Sequence, residues 1–118
     1  MNQNSLEIET YAATAATNVV RVVGDFCGEG AVRVRRTLVG ELTGSPAVLV
    51  LDLSEVARID AEGVDALHVA AELGANEDIG LCLVAPAQGA VKAALDAVES
   101  TDTFEIFSSL SEALGDSP

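Results

Sequence analysis

The sequence predicts an α/β domain: a mostly parallel β-sheet with an antiparallel first strand, packed with about four helices. Three observations carry this. Short β-branched or aliphatic runs alternate with segments of helical spacing, and such alternation builds right-handed parallel crossovers. The run Ala47 to Leu51 is apolar on both parities, as a central strand covered on both faces requires. Two strand-like runs open the chain with no helix between them, so that first pair is antiparallel. With 118 residues, one domain over 1–118 is expected, frayed at about 1–4 and 116–118.

The elements follow in order. Leu6, Ile8 and Thr10 alternate with Glu7 and Glu9, an edge strand with one wet face. Tyr11 to Thr17 is small and polar, a connection into which the strands extend. Asn18 to Val23 is β-branched and reads as the second strand. Gly24 to Gly30 is a turn region. Its glycines do not make a dinucleotide fingerprint, because Arg33 stands where the third glycine belongs, and no Lys-Ser/Thr pair follows. Val34, Leu38 and Leu42, with Ala31 and Val39 alongside, form a helical stripe that Gly44 and Pro46 end. Ala47 to Leu51 is the central strand, and Asp52 ends it. A second helix starts near Ala61, with Val64, Leu67 and Ala71 inward, and stops at Gly74 to Asn76. Gly80 to Ala85 is the next strand. Beyond Pro86, Val91, Leu95 and Val98 form the stripe of a third helix. Phe104 to Phe107 is the last strand. Ser109-Leu-Ser-Glu112 is a capping box that opens a terminal helix through Leu114, with Gly115 at its C-cap. The order is β-β-α-β-α-β-α-β-α.

Composition narrows function. The hydrophobic fraction is 49% and the aromatic fraction 3%, so the core is aliphatic and no ring platform exists for stacking bases. With 19 acidic and 6 basic residues and a formal charge of −13, the surface repels phosphate backbones and anionic lipid. Nucleic acid and membrane insertion are therefore not expected. Met1 to Thr10 has neither a basic nor an apolar leader segment, and no run approaches membrane length, which points to the cytoplasm. Arg21, Arg33, Arg35 and Arg36 read as a solvated face rather than an anion cradle. Cys27 and Cys82 read as reduced thiols. Their offset along parallel strands is roughly 13 Å, beyond the ~7 Å a disulfide spans.

No catalytic or metal constellation emerges. His68 is a single histidine at the rim of a helical stripe, a partly exposed helix residue. Asp60 and Glu62 read as a helix cap, not an acid–base pair. A phospho-aspartate receiver is excluded: Asp25 stands alone, Ala85-Pro86 occupies the hydroxyl position, and Phe107-Ser108-Ser109 offers no lysine. No enzyme activity, cofactor or metal is expected.

The stretch Val50-Leu-Asp-Leu-Ser-Glu-Val-Ala-Arg-Ile-Asp60-Ala-Glu-Gly-Val-Asp-Ala-Leu67 resembles the signature of the STAS domain, roughly D-L-S-x-V-x-x-I-D-S-S-G-L-x-x-L. The flanks agree: Gly24-Asp25-Phe26 falls where the family turns after its second strand. Val91 to Leu114 follows its closing helix, strand and helix. The resemblance implies a STAS fold and a non-enzymatic regulatory binding domain. Its best-known members are anti-sigma factor antagonists, which capture an anti-sigma factor with a histidine-kinase-like ATPase domain and so free a sigma factor. In those proteins the second serine of D-S-S-G is phosphorylated. Here Ala61 and Glu62 occupy the two serine positions, so the hydroxyl that would be switched is missing.

Two readings of Glu62 stand together. A carboxylate in a first helical turn gains ~0.3–1 kcal/mol from the helix dipole. It also places a standing negative charge, a partial mimic, where the phosphate would be. Gly63 leaves the helix start bare for a partner backbone. The partner-binding face implied by the resemblance comprises Asp25, Arg58, Asp60, Ala61, Glu62, Gly63, Val64 and Leu67. Two other roles stay open: a STAS subunit of a membrane transport complex, and a STAS module that senses a small ligand.

Overall fold

The computed structural model describes residues 6–44, 46–99 and 103–115. The expected fraying at both ends lies outside the described residues. The strands are β1 (Leu6–Ala12), β2 (Thr17–Phe26), β3 (Val48–Ile59), β4 (Gly80–Val84) and β5 (Glu105–Phe107). The helices are α1 (Gly28–Thr43), α2 (Ala61–Asn76), α3 (Ala90–Ala97) and α4 (Leu110–Ala113). The element order is the one expected.

The five strands form one sheet in the order β1-β2-β3-β4-β5. β1 pairs antiparallel with β2, and the remaining pairs are parallel. Each parallel crossover therefore steps the same way across the sheet. Right-handed steps in one direction put α1, α2 and α3 on a single face. That face holds the main core: Leu49, Leu51 and Leu53 of β3 meet Leu38, Leu67, Leu83 and Leu95. Only α4, which follows the last strand and closes no crossover, lies on the other face. There Val19, Val50, Cys82 and Val84 pack with Leu110, Ala113 and Leu114. Period-two alternation in β3 thus divides one apolar run between two cores.

Several expectations need correction. β3 does not end at Asp52; it runs seven residues further, to Ile59. Between the pairs Arg21↔Asp52 and Val23↔Glu55, β2 advances two residues and β3 three. One extra residue on β3 makes a β-bulge, which bends and twists a strand without ending it. Asp52 supports the bulge: its Oδ1 accepts from the Ser54 N–H at 3.2 Å and the Ser54 hydroxyl at 2.7 Å. This carboxylate is 5% exposed and faces Arg21, which also bonds Glu9 and Glu55. A polar residue inside an apolar run therefore marks a bulge here, not a strand end.

β2 likewise runs through Gly24 and Asp25 to Phe26, and α1 starts at Gly28. The supposed turn region shrinks to Cys27. Along α1, Ala31, Val34, Leu38 and Leu42 are buried, but Val39 is exposed because it sits off the stripe. Val98 does not extend the α3 stripe; it is the C-cap, 52% exposed. The expected capping box is half formed: Ser109 Oγ accepts from the Glu112 N–H, but the Glu112 carboxylate accepts from the N–H and hydroxyl of Ser108, one residue before the N-cap.

Both cysteines are free. Cys82 is level with Val50, which is level with Val19 on β2. Cys27 therefore lies eight residues beyond that level, roughly 26 Å along the strands. The separation exceeds the one expected, because both long strands continue past β4.

Leu51 is fully buried in the main core. Leu51→Ala should lose about 2–5 kcal/mol in a denaturant titration. Burial, with Glu105 beside it, pushes the Cys82 thiol up to about 11. A raised thiol stabilises the fold below the ordinary thiol range, and that contribution is lost as pH rises towards about 11. Wild type should therefore lose stability relative to Cys82→Val over that window in pH-dependent melts. At pH ~8 a thiol reagent should label part-exposed Cys27 first and leave Cys82 until unfolding.

Candidate partner-binding site

The long ends of β2 and β3 carry the start of α1 and the start of α2 to the same end of the sheet. At this end β2 and β3 stay paired through Phe26↔Ile59, well past the last β4 residue. Each strand passes into its helix through a single residue, Cys27 or Asp60. The two helices then pack side by side along the sheet.

Asp60 joins them. Its Oδ1 accepts from the Gly63 N–H at 3.0 Å, the N-cap bond expected for α2. Its Oδ2 accepts from the Gly28 N–H at 3.1 Å, the first residue of α1. One carboxylate thus satisfies a donor at the start of each helix and lies in the positive field of both. The second bond was not legible from the sequence, since it spans 32 positions. The one available signal was a β-run passing into helical spacing at Gly28 with no capping side chain of its own. Beside this pair, burial and the Asp60 carboxylate push the Cys27 thiol above its ordinary value.

Gly63 is required for close packing, not for a bare surface. A Cβ there would sit 2.5 Å from the Phe26 carbonyl oxygen and 2.6 Å from Ile59 Cγ1. Gly63 and Val64 are buried, and Leu67 is fully buried. These three support the site from beneath, because α2 turns that side towards β2 and β3. The expectation that they present themselves to a partner is corrected accordingly. The structure brings Arg58, Asp60, Ala61 and Glu62 together at the surface. Asp25 joins them through an ion pair, its Oδ2 3.4 Å from Arg58 Nη2, across the register pair Asp25↔Arg58. The family-type turn at Asp25 is thus a strand end.

Charge at this end is mostly negative. Glu29 and Glu62 occupy the first turns of α1 and α2. One turn on, Asp65 pairs with Arg35 of α1 at 3.9 Å, a contact that sequence reasoning missed. Glu62 is exposed and has no ion pair among the described residues. Among the described residues, no three His, Cys, Asp or Glu side chains are grouped to hold a metal ion. Among the described residues, no helix is long and apolar enough to cross a membrane. The site offers an exposed, acidic, rigidly backed surface, with no nucleophile activated by a base.

The family model of the STAS domain matches residues 7–113. The chain belongs to the STAS family. Solved structures agree on the STAS fold. An anti-sigma factor antagonist from Mycobacterium paratuberculosis is 23% identical, with a TM-score of 0.80 over 94% of this chain and 92% of its own. The anti-sigma factor antagonist SpoIIAA in its unphosphorylated form is 12% identical, with a TM-score of 0.71 over 93% and 96%. A sulfate transporter family protein from Wolinella succinogenes is 22% identical, with a TM-score of 0.73 over 89% and 87%. No curated protein sequence matches this chain significantly.

Two glycines on exposed-looking helical segments should respond oppositely. Gly63→Ala should destabilise by about 1–3 kcal/mol, because the obstructing carbonyl is backbone. Gly40→Ala, in α1 with nothing within 4 Å of the added Cβ, should stabilise by about 0.5–1 kcal/mol. Asp60→Ala should cost about 1–2 kcal/mol and speed amide exchange at Gly28 as well as Gly63. Thermal melts and hydrogen exchange check all three.

Proposed function

We propose that this STAS domain is a regulatory, non-enzymatic protein-binding module of the anti-sigma factor antagonist type. It captures an anti-sigma factor with a histidine-kinase-like ATPase domain, and that capture releases a sigma factor. The contact surface comprises Arg58, Asp60, Ala61 and Glu62 with Asp25, backed by Gly63, Val64 and Leu67. The observation that carries this reading is the exposed Glu62 carboxylate on the first turn of α2, at the position where the family motif has its phosphorylated serine. Asp60 and Gly63 hold that turn in place.

Glu62 acts as a standing negative charge there. It carries one charge and two acceptor oxygens, against about −1.5 to −2 and three for phosphoserine. The domain is therefore biased towards the released state without needing phosphorylation, and only partly so.

A second reading, a STAS subunit of a membrane transport complex, draws on the likeness to the sulfate transporter family protein. It differs in where the partner lies: in membranes rather than in soluble extract.

The test is calorimetry and pull-down of wild type, Glu62→Ala and Glu62→Ser against soluble anti-sigma factors of the ATPase type. Both variants should bind about tenfold more tightly than wild type, a change of about 1.4 kcal/mol. Glu62→Ser should also take up phosphate from ATP on the partner. Equal affinities for all three proteins would remove Glu62 from the mechanism. Absence of any soluble complex, with recovery of transporter subunits from membranes, would replace the antagonist reading with the transport one.

A further inference from the structure

A second surface lies along the open edge of the sheet, away from the helix starts. β1 is an edge strand of seven residues, paired only with β2 among the described residues. An edge strand leaves alternate N–H and C=O groups open to another chain. Beside it is a shallow cavity of about 450 Å³, lined by Ile8 and Thr10 of β1 and by Arg33, Arg36 and Thr37 of α1.

The arginines stand out by their partners. The chain has six basic residues against 19 acidic ones. Arg21, Arg35, Arg58 and Lys92 each pair with a carboxylate. Arg33 and Arg36 pair with none among the described residues, and both line this one cavity. With acid in such excess, leaving two neighbouring guanidinium groups unmatched is the exception. Helix electrostatics does not account for them. They lie in the middle of α1, whose last turn has no basic residue, so they gain nothing from the dipole.

We infer that the β1 edge and the Arg33–Arg36 pair form a docking site for an extended acidic peptide segment of a partner protein, which adds to the sheet as a sixth strand. Main-chain bonds to β1 give the affinity, and carboxylates on alternate residues of the segment reach Arg33 and Arg36. Glu7 and Glu9 of β1 alternate with Ile8 and so lie on the opposite face from Arg33 and Arg36, and the excess of acidic residues elsewhere disfavours other sites for such a segment. A small phosphate compound fits less well. The cavity is open, its cations are exposed, and no glycine loop or helix N-terminus faces into it.

The test uses the whole chain and a synthetic peptide matched in length to β1, Val-Glu-Val-Glu-Val-Glu-Val, followed by amide NMR titration. The expected result is shifts at the amides of 6–12 and 33–37, with binding weakened by salt. The Lys-for-Glu peptide and an N-methylated Glu peptide should not produce them. Arg33→Glu/Arg36→Glu should bind roughly tenfold more weakly or less, and Arg33→Lys/Arg36→Lys should retain most of the affinity. Both side chains are exposed, so an unchanged melting temperature shows that these variants fold. Unshifted β1 amides would overturn the proposal. So would equal binding of the N-methylated peptide, or full displacement by inorganic phosphate, which would make the cavity a simple anion site. Anti-sigma factor binding at Glu62 is read in a separate experiment, and either proposal can fail alone.

Discussion

The Asp60 carboxylate is the interaction on which the candidate site depends. It sits where β3 ends, and each of its oxygens holds the first turn of a different helix. Two helix starts brought side by side place their unsatisfied N–H groups and positive ends together. A carboxylate between them answers both problems, and it makes the separation of α1 and α2 a matter of hydrogen-bond length. Gly63 completes the constraint from below, since the Phe26 carbonyl of the neighbouring strand leaves no room for a Cβ. The exposed turn of Ala61 and Glu62 is therefore backed by rigid contacts on every inward side. Such backing suits a surface read by another protein, because little order remains to be imposed on binding.

That arrangement is possible because the sheet is lopsided. All three crossover helices fall on one face, and β2 and β3 outlast β4 at one end. The extra length is reached through a bulge, at which Asp52 takes the Ser54 N–H and hydroxyl. A buried carboxylate is costly unless its bonds are made; here Ser54 supplies two and Arg21 stands 3.9 Å away. The bulge lets a strand that begins as buried core finish as a solvent-facing ledge.

Much of this was legible in the residues. The order of elements, the parallel sheet with its antiparallel first pair, the Asp60 cap and the terminal Ser109 cap all follow from local signals: period, β-branching, and polar residues at fixed offsets. What escaped depends on pairs far apart in the chain. Asp52 suggests a strand end by sequence alone, because a polar residue in an apolar run has two meanings, and only the register with β2 decides between them. Gly63 suggests an opening by sequence alone, because its neighbours in sequence say nothing of the Phe26 carbonyl, 37 positions earlier. Val64 and Leu67 belong to the family motif, yet a motif mixes residues that meet a partner with residues that hold those in position. Burial separates the two classes, and burial is not written in the motif. The Asp60 to Gly28 bond is of the same kind.

The distribution of charge adds a further step. Acidic residues at Glu29, Asp60 and Glu62 sit where helix dipoles favour them, so the negative end of this domain is stable in its own right and costs the fold nothing. A carboxylate at position 62 therefore fits the first turn of α2 on electrostatic grounds alone. The arginines of α1 follow the opposite rule. Arg35 pairs across to Asp65 and helps tie α1 to α2, whereas Arg33 and Arg36, beside β1, make no ion pair among the described residues. The two surfaces differ in sign and in backbone geometry, one a capped helix start and the other an open strand edge. The acidic end follows from the helix dipoles that favour it, whereas nothing within the fold calls for the pair of arginines beside β1.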